Sequence, residues 1–198
     1  MRLVVEMNEI RLVYGQSKSS RDEGYIVQKL EFAILVKNLA PEKSISVHWA
    51  GVDNVWHVLP AFFSFLAGGD SEQWYAKIVC RAPLTGRLPG NIHFALQYRV
   101  SGKHYWDNNH NSNYFLATAT GLVLGPKILL TLIGFNPLLP QNDTMQLGVA
   151  AHWSLQARRV FVRWTTDKWS TYHETPCVLE GNSSIQKTKK IATNITPN

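Results

Sequence analysis

Nine consecutive residues, Ile92-His-Phe94-Ala-Leu96-Gln-Tyr98-Arg-Val100, place a large apolar side chain at every second position. A strand sends successive side chains to opposite faces, so this period of two puts five apolar groups on one face and His93, Gln97 and Arg99 on the other. Such a face must be covered by a second layer, which excludes a helical bundle for this part of the chain. Ser101-Gly102 follows as a turn, and Lys103 to Trp106 reads as the returning arm of a hairpin. Ile45, Val47 and Trp49 alternate with Ser44, Ser46 and His48 in the same way, and Leu30 to Val36 forms another apolar run. Punctuation at Gly51, Gly68-Gly69, Pro83, Gly86 and Pro89-Gly90 separates short segments, and no long 3.6-residue period intervenes. The expectation is an all-β chain built as an antiparallel β-sandwich.

Residues 1–120 hold these signals and read as one module. Between Gly121 and Pro140 polar alternation disappears and Gly, Pro and Leu dominate, which reads as a connector over 121–145 or as an unusually apolar strand. Alternation resumes at Val160-Phe-Val162-Arg-Trp164, and Thr166-Asp-Lys-Trp169 echoes Val52-Asp-Asn-Val-Trp56. Aligning Trp164 with Trp49 and Trp169 with Trp56 makes 146–198 a partial second copy of the module. It lacks a counterpart of the Tyr105-Trp-Asp-Asn-Asn109 segment, so it is half a module, with sheet edges left unpaired.

Charge argues against a phosphate-binding surface in the module. Although the formal net charge is +6, residues 1–120 carry 12 Lys/Arg against 10 Asp/Glu, and the clustered cations are Lys187, Lys189 and Lys190 near the end. Nucleic-acid binding needs a basic stripe on one face, which the module lacks. Glu6 and Glu9 interrupt the Met1-Arg-Leu-Val-Val5 start before a signal-peptide core develops, and the Ile128–Phe135 apolar run is too short to span a bilayer, so the expected location is cytoplasmic. Cys80 and Cys177 stand alone, and the seven His have no metal-ligand spacing, so no disulfide scaffold, metal or cofactor is expected.

Nucleophile-elbow, zincin and phosphate-loop motifs are all missing, so no enzyme is expected. The segment Gly102-Lys-His-Tyr105-Trp106-Asp107-Asn108-Asn109-His-Asn-Ser-Asn113-Tyr114 points elsewhere. Its Asn run suits left-handed turn backbone. Beyond that, a Trp ring beside carboxamides matches a pyranose, whose C–H face packs on the ring while its hydroxyls both give and accept hydrogen bonds. Aromatics are plentiful, with seven Trp, seven Tyr and eight Phe. Trp49 and Trp74 sit at strand positions and are expected in the core.

Together, Val36-Lys-Asn38-Leu-Ala40-Pro-Glu-Lys43, Ile45 to Trp56, Phe94-Ala-Leu-Gln-Tyr98 and Tyr105 to Tyr114 resemble the family-21 carbohydrate-binding modules. These include the starch-binding domains of fungal glucoamylases and the glycogen-targeting subunits of protein phosphatase 1. The resemblance covers roughly residues 25–118 and implies an immunoglobulin-like antiparallel β-sandwich with two sugar sites and no catalysis. It implies sugar contacts for Trp56, Trp106, Asn108 and Asn113, with Lys43 and Asp107 in the same set, and a candidate second-repeat site at Trp169. Pro41 stands where starch-binding domains place an aromatic of the second sugar site, and Ala95 where they place a Tyr.

A Trp at position 106 favours the glycogen-targeting branch, in which this segment also holds phosphatase substrates; Trp106, Asn109 and Tyr114 are then candidate partner contacts. The implied ligand is an α-glucan, glycogen or starch. The implied partners are glycogen synthase and the phosphatase 1 catalytic subunit, in a glycogen-associated scaffold. The docking motif of R/K-V-x-F type has no convincing match, since Arg159-Val-Phe161-Val has its aromatic one place early. The competing reading is a plain lectin, or the detached starch-binding module of an amylolytic enzyme.

Overall fold

A computed structural model describes residues 8–119, 121–136, 145–156, 159–183 and 188–195. The Met1–Val5 start, Lys187 and stretch 137–144 of the expected connector lie outside the described residues. The chain divides into two compact units, Met1–Pro126 and Lys127–Asn198.

In the first unit the strands are β1 (Ile10–Asp22), β2 (Tyr25–Lys37), β3 (Lys43–Ala50), β4 (Trp56–Pro60), β5 (Phe62–Gly68), β6 (Ser71–Pro83), β7 (Ile92–Val100), β8 (Lys103–Asp107), β9 (Tyr114–Leu116) and β10 (Leu122–Leu124). One antiparallel sheet has the order β10-β1-β2-β6-β5, and the other β4-β3-β7-β8 with β9 also on β7. The period-two face of β7 points between the sheets: Ile92, Phe94, Leu96 and Tyr98 are fully buried, together with Leu12, Leu30, Phe32, Ile34 and Val47. Trp49 joins this core, and Trp74 packs against it partly buried. Phe32 and Phe94 meet across the sandwich with ring centroids 4.9 Å apart. A Cβ at Gly15 would stand 2.9 Å from Phe94 Cζ, so glycine there makes room for that ring. The expected β7–β8 hairpin forms, with Ser101 and Gly102 both at positive φ (49° and 72°) as a two-residue turn of the primed type requires.

Of the two readings of the 121–145 stretch, connector or apolar strand, two parts take the strand form. Leu122–Leu124 pairs with Tyr14–Gln16 of β1 and closes the first sheet edge. Leu130–Asn136 (β11) pairs with Met145–His152 (β12) in the second unit. Polar alternation is missing from β10 because both of its faces are covered: Leu122 and Leu124 are buried, and Val123 between them packs against the core. Its flanking glycines permit close approach, since a Cβ on Gly125 would lie 1.8 Å from the Leu12 carbonyl oxygen.

The second unit contains a sheet of order β11-β12-β16-β15, where β15 is Val178–Ser183 and β16 Thr188–Ile195. It also has a separate hairpin of β13 (Phe161–Trp164) and β14 (His173–Pro176). Val149 and Ala151 are buried there, with Val160 and Cys177 packed against them. Among the described residues no helix is long and apolar enough to cross a membrane.

Candidate functional site

The outer face of the β4-β3-β7-β8 sheet collects the site. Since Ile45, Val47 and Trp49 point inward, His48 points outward, paired with Ala95 on β7 and Val58 on β4. Trp106 on β8 pairs with Gln97 on β7. The His48 and Trp106 rings thus meet above β7, with centroids 4.9 Å apart. Trp56 opens β4 opposite Ala50. His48, Trp56, Ala95, Trp106, Asn108 and Asn113 line one open cleft. Trp56 is 50% and Trp106 49% exposed, against 5% for Trp49, so two indoles face solvent and one supports the core.

Ala95 is buried and lines the floor of the cleft, where a larger ring would compete with the His48–Trp106 contact for space above β7. His48 Nε2 lies 3.3 Å from both Ser46 Oγ and Gln97 Oε1. Desolvation pushes its pKa below the usual imidazole value and Arg99 adds to that, opposed by the Gln97 hydrogen bond. Sequence reasoning did not select His48, although the inward alternation of its neighbours already determines its direction.

The Asn-rich loop is built largely by backbone geometry. Asn109, His110, Asn111 and Asn113 all have positive φ, a conformation Asn tolerates better than most residues. Asn113 N–H donates to the Asn108 carbonyl at 2.8 Å, and Asn109 Nδ2 donates to the Asn113 carbonyl at 3.1 Å. Asn108 exchanges hydrogen bonds with Asn111 through its side chain.

Two residues expected at the ligand, Asp107 and Lys43, and one candidate partner contact, Tyr114, occupy other positions. Asp107 turns inward: its carboxylate accepts from Leu12 N–H at 2.8 Å, from Tyr114 Oη at 2.8 and 2.9 Å, and from Asn109 N–H at 3.4 Å. Its lone pairs are committed to holding the loop against β1. Tyr114, a candidate partner contact, is 2% exposed and stacks on Phe94 at 5.1 Å. Burial, then the neighbouring Asp107 charge, pushes its phenol well above the usual tyrosine pKa. Lys43 lies at the opposite end of β3 from His48, and its ammonium donates to Glu72 Oε1 at 2.8 Å and to Asn38 Oδ1.

That lysine belongs to a second groove, lined by Asn38, Pro41, Lys43, Phe63, Glu72 and Trp74 among others. Glu72 joins Lys43 to the Trp74 indole, accepting its Nε1–H at 3.0 Å. Phe63 approaches Trp74 edge-on at 6.1 Å and is 51% exposed. Pro41 brings no ring to this groove, and the rings that line it come from Phe63 of β5 and Trp74 of β6. Sequence reasoning overlooked Phe63 because its strand-edge position depends on pairing between β5 and β6.

In the second unit, Trp169 is 64% exposed in the β13–β14 turn. Trp164 pairs with His173 across the hairpin, as Trp49 pairs with His57 in the first unit. The residue preceding that histidine is Trp56 in one hairpin and Tyr172 in the other. Counted back from the paired histidine, Tyr172 takes the place that Trp56 has in the first unit, just ahead of the first paired residue of β14, whereas Trp169 lies further back in the turn. The second hairpin places eight residues between its Trp and His, one more than the first.

Two solvent-facing indoles beside carboxamides, on the outside of a two-sheet sandwich, define the class of proteins that bind polysaccharide on an open aromatic surface. The chain belongs to the carbohydrate/starch-binding module family 21, whose model matches residues 9–117. It is 29% identical over 91 residues to Glucoamylase 1 of Rhizopus oryzae, covering 43% of this chain and 14% of that protein. It is 36% identical over 84 residues to Protein phosphatase 1 regulatory subunit 3E of Mus musculus, covering 41% of this chain and 28% of that one. The match therefore spans less than a third of either relative. The solution structure of the carbohydrate binding module of the muscle glycogen-targeting subunit of Protein Phosphatase-1 is similar over 58% of this chain and 78% of that one, with a TM-score of 0.41 and 18% identity.

Proposed function

We propose that the first unit, an immunoglobulin-like module, binds an α-glucan, glycogen or starch, in the cleft between Trp56 and Trp106. The chain then acts without catalysis as a glycogen-associated scaffold in the cytoplasm. The observation carrying this reading is the pair of half-exposed indoles on one face, with Asn108 and Asn113 at the same cleft. The rings supply stacking area and the amides supply paired donors and acceptors. Within the matched family, the likeness to a phosphatase 1 regulatory subunit supports a targeting role. Its partners would be glycogen synthase, held through the exposed Trp106 side of the Asn-rich loop, and the phosphatase catalytic subunit. Arg159-Val-Phe161-Val enters strand β13 at Phe161, so we expect the catalytic subunit to bind weakly through this chain.

Co-sedimentation with insoluble starch or glycogen tests the reading. The Trp56→Ala/Trp106→Ala chain is expected to pellet far less than the wild type; equal sedimentation of the two sinks the site. Co-purification of glycogen synthase or phosphatase separates a targeting subunit from a lectin or a detached starch-binding module, which would retain glucan alone.

A further inference from the structure

The β13–β14 hairpin repeats part of the β3–β4 hairpin of the first unit with different residues. Trp164 and His173 stack with centroids 4.4 Å apart and planes at 21°, matching the Trp49–His57 pair at 4.7 Å and 31°. On the other face of the hairpin, Arg163 pairs with Glu174 where His48 pairs with Val58, and Tyr172 precedes the paired His173 as Trp56 precedes the paired His57. Tyr172 is 56% exposed. The Arg163 guanidinium lies 4.2 Å from its ring centroid and is itself fixed by Glu174 Oε1, at 2.6 Å from Nη2 and 3.1 Å from Nε. One face of the ring is thereby clamped, and an amphipathic ring flanked by a fixed donor and acceptor faces solvent.

Trp169 adds an indole for which the fold supplies no reason. It sits at φ 72° in the turn, a position that suits Gly or Asn, and its side chain is largely exposed. The turn around it is closed by side-chain hydrogen bonds. The Asp167 carboxylate accepts from Thr171 N–H at 2.9 Å and from the Thr165 and Thr171 hydroxyls at 2.6 Å, while Thr165 Oγ1 accepts from Trp169 N–H at 3.3 Å. An apolar protein partner would bury the exposed Arg163 and Glu174 charges against nonpolar surface, whereas sugar hydroxyls can accept from the guanidinium and donate to the carboxylate.

We infer that Tyr172 and Trp169 form a separate α-glucan contact on the second unit, so that one chain grips the polymer at two places. This rests on the glucan-binding reading above. Two sites on one chain raise retention on a polymer by up to ~10²–10⁴ over either alone when both can engage. The full chain carrying Trp169→Asn and Tyr172→Ala is therefore expected to lose at least about tenfold in glycogen affinity, measured by affinity electrophoresis. Trp169→Asn alone, which suits the left-handed backbone and leaves the fold intact, should give part of that loss. A direct readout uses the Trp56→Ala/Trp106→Ala chain, in which the Trp169 indole N–H resonance should shift on adding maltoheptaose. Wild-type glycogen affinity in the hairpin variants, or a Trp169 resonance that does not move, overturns the inference. Undiminished binding by the Trp56→Ala/Trp106→Ala chain, with a Trp169 shift, would instead sink the cleft assignment and leave this one standing.

Discussion

The Tyr114 hydroxyl donates to both oxygens of the Asp107 carboxylate, at 2.8 and 2.9 Å, from a position 2% exposed to solvent. This pair fastens both ends of the Asn-rich loop to the core, and the same carboxylate reaches β1 through Leu12 N–H. Tyr114→Phe removes the donor and leaves the charge partly unsatisfied, with an expected cost of about 1.5–3 kcal/mol. Glucan affinity should fall with it, because Asn113 loses its anchor. Urea unfolding and glycogen titration check both effects, and an unchanged unfolding midpoint refutes the anchoring role.

The exposed and buried indoles should separate cleanly. Trp56→Ala and Trp106→Ala are each expected to weaken sedimentation with glycogen strongly while changing stability by under about 1 kcal/mol, since neither ring belongs to the core. Trp49→Ala should cost about 3–5 kcal/mol. Parallel thermal melts and pelleting assays report the contrast; a large loss of stability from Trp106→Ala would contradict it.

Lys43 and Glu72 form an ion pair whose side chains are only 4% and 9% exposed. Breaking such a pair leaves one charge buried without compensation, so Glu72→Leu should destabilise by about 3–5 kcal/mol. Adding Lys43→Met should recover much of that loss, because two apolar groups of similar size replace the pair. A double-mutant cycle in denaturant gives the coupling energy, and additive losses would show that the pair is not coupled.

His48 titrates lower in the folded chain than in the unfolded one, chiefly through desolvation. The unfolded state then binds more protons in the window between the two pKa values, so stability is fully present above the unfolded value of about 6.5 and is lost as pH falls through the lowered one. His48→Gln should remove that part of the acid-side decline. Melting temperatures of both proteins between about pH 7 and pH 4 test this, and parallel profiles would assign the decline to other groups.

Buried tyrosines act on the alkaline side. Burial raises the Tyr14 phenol to about 12, and Tyr114 is raised as well. Each keeps its proton in the folded state after the unfolded chain would release it, so their stabilisation is complete below about pH 10 and declines above it. Tyr114→Phe should flatten that decline in a pH series of unfolding midpoints; an unchanged slope would remove Tyr114 from the account.

Much of the architecture is legible in single-strand patterns. The alternation from Ile92 to Val100 requires a strand with a buried face, and Ser101-Gly102 requires its turn, because both follow from backbone geometry within a few residues. The alternation around Trp49 likewise sends it into the core. The Asn run before Tyr114 announces left-handed backbone, and the Trp-Asp-Asn-Asn segment carries the family resemblance.

Long-range pairing decided what those patterns leave open. Asp107 looks like a ligand in a linear motif, yet the approach of Leu12 and Tyr114 turns its carboxylate inward. Lys43 shares a sequence block with the site, but strand length carries it to another groove, where Glu72 meets it from a position 29 residues away. His48 and Trp106 become one surface only because β3 and β8 flank β7. Tyr172 precedes the paired histidine of the second hairpin as Trp56 does in the first, a match hidden in the sequence because the second hairpin has one more residue between its Trp and His. Local spacing determines which way a side chain points along its own strand, whereas pairing between distant strands determines what stands beside it, and a binding site consists of the latter.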